Sequence, residues 1–164
     1  MKLTTQIRYG VRALCDIAYN SEGAPVQVSS ISERQAISPR YIEQIFQKLR
    51  KGGIIRSARG PSGGYILARR PEEITVGDVI RAVDGHEIQL VFCSGGTRGS
   101  KGACKRFGKC VVSDVWSEAS RLLMDYFDSV TLDAICVEAR TKGLGLEVPP
   151  PKEAEWKSIC PYAG

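Results

Sequence analysis

The chain has 164 residues, 43% hydrophobic and 25% charged, with a formal net charge of +5. That is enough apolar mass for one buried core, and no apolar run approaches the length needed to span a bilayer. The opening Met1-Lys2-Leu3-Thr4-Thr5-Gln6 carries no apolar leader, so the expected location is the cytoplasm, where six cysteines are not a disulfide framework.

Leu3 to Asn20 reads as an amphipathic helix with Ile7, Val11, Leu14, Cys15 and Ala18 on its buried side. Cys15 belongs to that stripe and is expected to be small apolar filler. Ser21 to Pro25 is a turn. A second helix is expected to open at Ser30, with Glu33 completing a capping box. A third opens at Ser38-Pro39, a capping serine followed by the one helical position that suits proline. Tyr41, Ile42, Ile45 and Leu49 fall on one face of this helix. Arg40, Glu43, Gln44, Gln47, Lys48 and Lys51 fall on the other. Gly52-Gly53 stops it. Ile54 to Arg59 then reads as a strand, Gly60-Pro61-Ser62-Gly63-Gly64 as a turn, and Tyr65 to Leu67 as the return strand.

After this hairpin, Thr75-Val76-Gly77-Asp78 is another capping box. It opens a short helix through Val79, Ile80 and Val83 that ends at Asp84-Gly85. A long helix is expected from about Val111 to Ser129. Its residues Val112, Trp116, Ala119, Leu123, Tyr126 and Val130 form a heptad seam, widened by Val115, Leu122 and Phe127. Two readings stay open: a partner helix for a second copy, or an ordinary core-facing helix. Thr131 to Arg140 is one more short helix with Cys136 packed. The stretch 141–164 is expected to be a flexible tail.

Two capped helices about three residues apart, a glycine stop and a Gly-Pro-x-Gly-Gly hairpin outline a winged helix-turn-helix. Arg40, Glu43, Gln44 and Lys48 are side-chain types that reach base edges and phosphates in a major groove. Arg59, at the edge of the turn, suits a narrow minor groove. Thr4, Thr5, Arg8 and Tyr9 lie where hydroxyls, an arginine and free helix amides can hold a phosphate. Charge supports this: residues 1–80 carry twelve Lys/Arg against seven Asp/Glu, whereas residues 111–140 carry six acidic residues and two basic. A charged helix face alone would be weak, since most such faces only meet water.

Cys93, Cys104 and Cys110 lie at C-x10-C-x5-C spacing in a glycine-rich stretch whose Arg98, Lys101, Lys105, Arg106 and Lys109 have no acidic neighbour. Unrelated surface thiols explain this poorly, and zinc ordinarily takes four ligands through closer cysteine pairs. A thiol redox switch remains open, because basic neighbours favour thiolates and a loop lets sulfurs meet. An iron–sulfur cluster is preferred: the cations offset its negative charge and the glycines let amides approach its sulfurs. A cysteine nucleophile lacks a base, because the only histidine, His86, has no evident partner.

These motifs together resemble the Rrf-two family, the winged-helix transcription factors that include the IscR-like iron–sulfur cluster regulators. The resemblance runs from Met1 to about Arg140. It rests on Leu3-Thr4 with Arg8-Tyr9, Ile31-Ser32-Glu33-Arg34-Gln35, Tyr41-Ile42-Glu43-Gln44, Leu49-Arg50-Lys51, Arg59 to Tyr65, Val76 to Ile80, and Cys93/Cys104/Cys110 before Trp116. It implies a mainly α fold with a small β wing, a DNA-binding domain plus a long dimerisation helix. The implied divisions are a DNA-binding domain at 1–84, a cluster loop at 85–110, a dimerisation region at 111–140 and the tail. It also implies a non-enzymatic homodimer on double-stranded promoter DNA, with no membrane and no small-molecule substrate. Ser38, Arg40, Tyr41, Glu43, Gln44 and Lys48, with Thr4 and Arg8, are the expected major-groove and phosphate contacts. Arg59, Gly60, Pro61, Ser62, Gly63 and Gly64 are the expected wing contacts. Cys93, Cys104 and Cys110 would hold a 2Fe–2S cluster in preference to a 4Fe–4S one. IscR-like members carry a histidine at the position of Ser113, and nitric-oxide-sensing members a carboxylate near that of Arg8. This chain has neither, so Asp114 or a small molecule would complete the ligand set.

Overall fold

The computed structural model describes residues 3–21, 23–60, 63–88, 90 and 109–143. Six helices and one hairpin account for them: α1 (Thr5–Asn20), α2 (Val28–Gln35), α3 (Pro39–Lys51), β1 (Ile55–Ala58), β2 (Gly64–Leu67), α4 (Val76–Asp84), α5 (Ser113–Ser129) and α6 (Leu132–Thr141). A single 3-10 turn at Pro71–Glu73 links β2 to α4.

The core gathers on α1, which packs against α2, α3, α4, α6 and β2. Ile7, Ala13, Leu14 and Ile17 of α1 meet Ile31 of α2, Ile42, Ile45, Phe46 and Leu49 of α3, and Val79, Ile80 and Val83 of α4. Each large aliphatic side chain so enclosed stabilises the fold by about 1.5–3 kcal/mol. Gly10 lies among Ile45, Val79 and Val83, where a larger residue would hold α3 and α4 away. The predicted stripe is largely right, with Val11 and Ala18 only half-buried. It omits Asp16, which is fully enclosed.

Asp16 is enclosed because α2 brings its partners. Arg34 Nε donates to Asp16 Oδ2 at 2.9 Å and its Nη2 to Oδ1 at 2.6 Å, while Gln35 Nε2 donates to Oδ2 at 2.9 Å. Arg12 in turn donates to the Gln35 carbonyl and to Gln35 Oε1. Burial lowers the pKa of Arg12, which also lies over the Tyr9 ring. A charge with no access to water must be paired and hydrogen-bonded, and this cluster does both. It fastens the first helix of the helix-turn-helix to the core.

Helix α2 does not begin where its capping pattern suggested. It starts at Val28 after Gln27, with no side-chain cap. The cause lies outside the helix: Val26 and Tyr65 exchange backbone hydrogen bonds at 2.9 Å in both directions, pinning the chain just ahead of Val28. The helix starts as soon as that pairing ends, leaving Ser30 inside its first turn. The same pairing accounts for Gly64, since a Cβ there would meet the Val26 backbone.

The wing is antiparallel, with Ile55 opposite Leu67 and Ala58 opposite Gly64. Phe46 of α3 packs edge-on against Tyr65 at 4.8 Å, so the third helix and the hairpin share one apolar joint. Gly53, at φ +70, makes the turn between them. Behind the head, the segments entering α4 and α6 pair through Thr75 and Thr131. Each threonine also caps its helix: Thr75 Oγ1 accepts from Asp78 N and Thr131 Oγ1 from Ala134 N. The Thr75/Asp78 capping box is present as predicted.

Helix α5 packs on α4, and Arg81 donates two hydrogen bonds to Asp128, at 2.8 and 2.5 Å. This pairing, above all, holds the Arg81 guanidinium above the ordinary arginine pKa. Among α5 residues only Met124 is buried. Val115 (60%), Leu122 (55%) and Tyr126 (63%) are exposed, with Val112 and Trp116 beside them. The core-facing reading of the heptad seam therefore fails: its large residues mostly point outward.

Candidate nucleic-acid interface and cysteine loop

Helix α3 divides its side chains as the periodicity required. Ile42, Ile45, Phe46 and Leu49 are buried, while Arg40, Glu43, Gln44 and Gln47 are exposed along the other face. Ser38 occupies the N-cap position, but its backbone carbonyl receives the Tyr41 and Ile42 amides and its hydroxyl makes no cap bond. Pro39 takes the first turn, as expected.

Two predicted contacts are held differently from a free polar face. Tyr41 is half-buried and packs edge-on against Tyr9 of α1 at 5.7 Å. Lys48 is half-buried too, and its ammonium donates to Gln6 Oε1 at 2.6 Å. Both contacts lay the N-terminal half of α1 beside α3. Helix periodicity cannot reveal them, because each depends on how two helices cross.

Thr4 is the N-cap of α1: its Oγ1 accepts from the Ile7 amide and donates to Asp84 Oδ1, each at 3.3 Å. Arg8, one turn on, is exposed. In the wing, Arg59 and Gly60 are exposed, and the Gly63 amide donates to the Gly60 carbonyl at 2.9 Å, closing the turn. Gly64 begins β2, while Pro61 and Ser62 lie outside the described residues. Arg56 and Ser57 of β1 are exposed as well, on the strand joining α3 to the turn. The sequence reading passed over Arg56, a charged side chain within the strand that leads to the turn.

The described structure thus brings together the start of α1, the outer face of α3 and the hairpin. Such a surface carries guanidinium, amide, hydroxyl and carboxylate groups, and can pair with phosphates and base edges.

Of the three loop cysteines, Cys110 alone is described; Cys93 and Cys104, with Lys101, Lys105 and Arg106, lie outside the described residues. Cys110 is a half-buried free thiol three residues before α5. Its carbonyl accepts from the Ser113 hydroxyl at 2.7 Å and the Ser113 amide at 3.2 Å. The N-cap of α5, Val112, offers no side-chain acceptor, so the positive end of the helix faces the segment that carries Cys110. Asp114 is exposed and accepts from Ser113 Oγ at 3.2 Å. His86 is exposed beside the Glu87 carbonyl. A free, partly open thiol just ahead of a helix start is available as a ligand. Among the described residues no group of three or more metal-ligating side chains converges, and no helix is long and apolar enough to cross a membrane.

Known proteins share this arrangement. Over 132 residues the chain is 43% identical to the HTH-type transcriptional regulator IscR of Escherichia coli O1:K1, covering 80% of this chain and 78% of that protein. The solved structure of T. potens IscR superposes with a TM-score of 0.68 at 33% identity, covering 88% of this chain and 93% of that one. CymR of B. subtilis, described as a global cysteine regulator, superposes with a TM-score of 0.65 at 27% identity, covering 84% and 98%. Residues 3–138 match the family described as Rrf2, iron-dependent transcriptional regulator. The mainly α architecture with a two-stranded wing and the match along most of the chain agree: this protein belongs to the Rrf2 (Rrf-two) family of transcriptional regulators.

Proposed function

We propose that the protein is a homodimeric regulator that binds double-stranded promoter DNA and whose occupancy is controlled by an iron–sulfur cluster on Cys93, Cys104 and Cys110. The observation that carries the DNA reading is the split of α3: four side chains anchor it while Arg40, Glu43, Gln44 and Gln47 stand clear of the core. In this reading Glu43 and Gln44 address base edges. Arg40, Ser38, Thr4 and Arg8 hold phosphates, and Arg59 with Gly60 to Gly64 enters the minor groove. Tyr41 positions α3 through Tyr9, and Lys48 reaches phosphate only by leaving Gln6.

The outward side chains of α5, Val115, Trp116, Leu122 and Tyr126, are the natural seat for a second copy. An apolar stripe of that length is costly to leave in water. A dimer so formed presents two α3 helices to two half-sites. The divisions at 1–84, 85–110, 111–140 and 141–164 follow this partition of roles. In the loop, the thiolates hold the cluster, Lys101, Lys105, Arg106 and Lys109 offset its charge, and Asp114 or a small molecule completes the ligand set. The bound cluster supplies a redox-sensitive group whose gain or loss alters the loop's charge and shape. A 2Fe–2S form is preferred over 4Fe–4S.

Protein purified and reconstituted without oxygen is expected to be coloured, with iron and sulfide in about one cluster per subunit. It should footprint an operator differently with and without metal. A colourless, iron-free product would sink the cluster, and failure to footprint any promoter in either state would sink the DNA reading. The likeness to CymR keeps a metal-free thiol switch as the second reading. It predicts reversible disulfides among the same three cysteines and no iron.

A further inference from the structure

Cys15 lies on the buried face of α1 and Cys136 on that of α6, 121 positions later in the chain. Both are enclosed, at 3% and 2% exposure, and both are free thiols. Cys136 Sγ lies 3.8 Å from the Cys15 carbonyl oxygen, so the two residues touch where α1 packs on α6. The need for a small apolar filler explains one buried cysteine. It does not explain two placed in contact from distant helices, where any pair of small aliphatic residues would fill the space. Neither thiol takes part in the DNA surface or in the loop.

We propose that Cys15 and Cys136 form a dithiol site that a hydroperoxide converts to a disulfide, fastening α6 covalently to α1. The two sulfurs are chemically unequal. Contact with Cys15 lowers the pKa of Cys136, with Arg140 adding to the effect. The same contact, together with burial, raises the pKa of Cys15. Cys136, on the helix whose neighbouring Val137 and Glu138 are exposed, is the sulfur an oxidant meets first, and Cys15 is the resolving one.

In the first step the Cys136 thiolate attacks one peroxide oxygen. The O–O bond breaks, and the departing hydroxide takes up the proton lost by Cys136 and leaves as water. In the second step the Cys15 sulfur attacks the sulfenic sulfur of Cys136. The S–O bond breaks, hydroxide leaves with the Cys15 proton as a second water, and the S–S bond forms. Two thiols are oxidised and one hydrogen peroxide is reduced to two waters. Access comes through α6, a ten-residue helix whose outer side, including Val137 and Glu138, is exposed; its local opening admits an oxidant of nearly water size.

The consequence reaches the DNA surface. Helix α1 carries Thr4 and Arg8 and lies against α3, while α6 is braced to the start of α4 through Thr131 and Thr75. A bond between α1 and α6 ties these two halves in one orientation.

The test uses the full chain with Cys93, Cys104, Cys110 and Cys160 replaced by serine, treated with hydrogen peroxide and digested with trypsin without reductant. Mass spectrometry should find the Cys15 peptide linked to the Cys136 peptide, and the oxidised protein should melt higher until dithiothreitol returns it to the starting value. The same linkage should be mapped in the unsubstituted chain, so that a folding defect of the serine variant cannot decide the matter. Cys15→Ala should leave Cys136 as a dimedone-reactive sulfenic acid, and Cys136→Ala should leave Cys15 unreacted. Two thiols still open to alkylation after unfolding the peroxide-treated protein would overturn the proposal, as would sulfinic acid without a cross-link or reaction at Cys15 first.

Discussion

Replacing Asp16 with asparagine tests how the helix-turn-helix is held. The substitution keeps the shape of the side chain but removes its charge and turns one acceptor into a donor. Three donor atoms converge on the carboxylate, Arg34 Nε and Nη2 and Gln35 Nε2, at 2.6 to 3.2 Å. Breaking a fully buried ion pair costs about 3–5 kcal/mol. The Arg34 side chain is 24% exposed and can turn partly to water, which moves the expectation to the lower end, about 2–3 kcal/mol. Against a total stability of roughly 5–15 kcal/mol the variant still folds, but less securely. Urea unfolding followed by circular dichroism would measure the loss, which should appear in the midpoint with an unchanged slope. Removing Arg34 as well should then cost little more, because the two residues act as one unit. A loss below about 0.5 kcal/mol, within the range of ordinary surface changes, would refute the view that this cluster fastens α2 to α1.

Four further outcomes are expected. Arg59→Ala should weaken operator binding most where the minor groove is narrow, whereas Glu43→Ala should relax preference at one base pair by about 1–3 kcal/mol; quantitative footprinting on operator variants separates the two. If the proposed dimer forms through α5, Leu122→Glu with Tyr126→Glu should convert it to monomer in sedimentation, since each lost apolar side chain removes about 1.5–3 kcal/mol of burial per subunit; an unchanged sedimentation coefficient would exclude α5 as the seam. Gly53→Ala should cost about 1–2 kcal/mol in thermal unfolding, because nothing lies within 4 Å of its Cβ position and the backbone at φ +70 alone opposes a side chain.

The Tyr126 and Lys48 positions show where a one-dimensional reading stops. Heptad spacing marked Tyr126 as apolar and facing something, but its exposure depends on α4 taking the Met124 side of α5 and leaving the other side open. Lys48 fell on the polar face of α3 by spacing, yet Gln6 of α1 holds its ammonium. In both cases the deciding partner lies on another helix, at a distance along the chain that no local pattern encodes. The capping residues of α2 failed for a related reason: a strand pairing from the wing fixed the start of that helix first.

The chain's own order of residues was sufficient for whatever depends on neighbours within one or two turns. It placed the six helices and the hairpin, the Thr75/Asp78 box, the glycine stop after α3, the polar face of that helix and the family resemblance. Only the folded molecule decided which faces meet. It enclosed Asp16 with Arg34 and Gln35, set Cys15 against Cys136, laid the start of α1 along α3 and left the apolar side of α5 open. Hydrogen bonding within a helix or turn is a short-range property of the chain, whereas burial arises only when distant surfaces exclude water together.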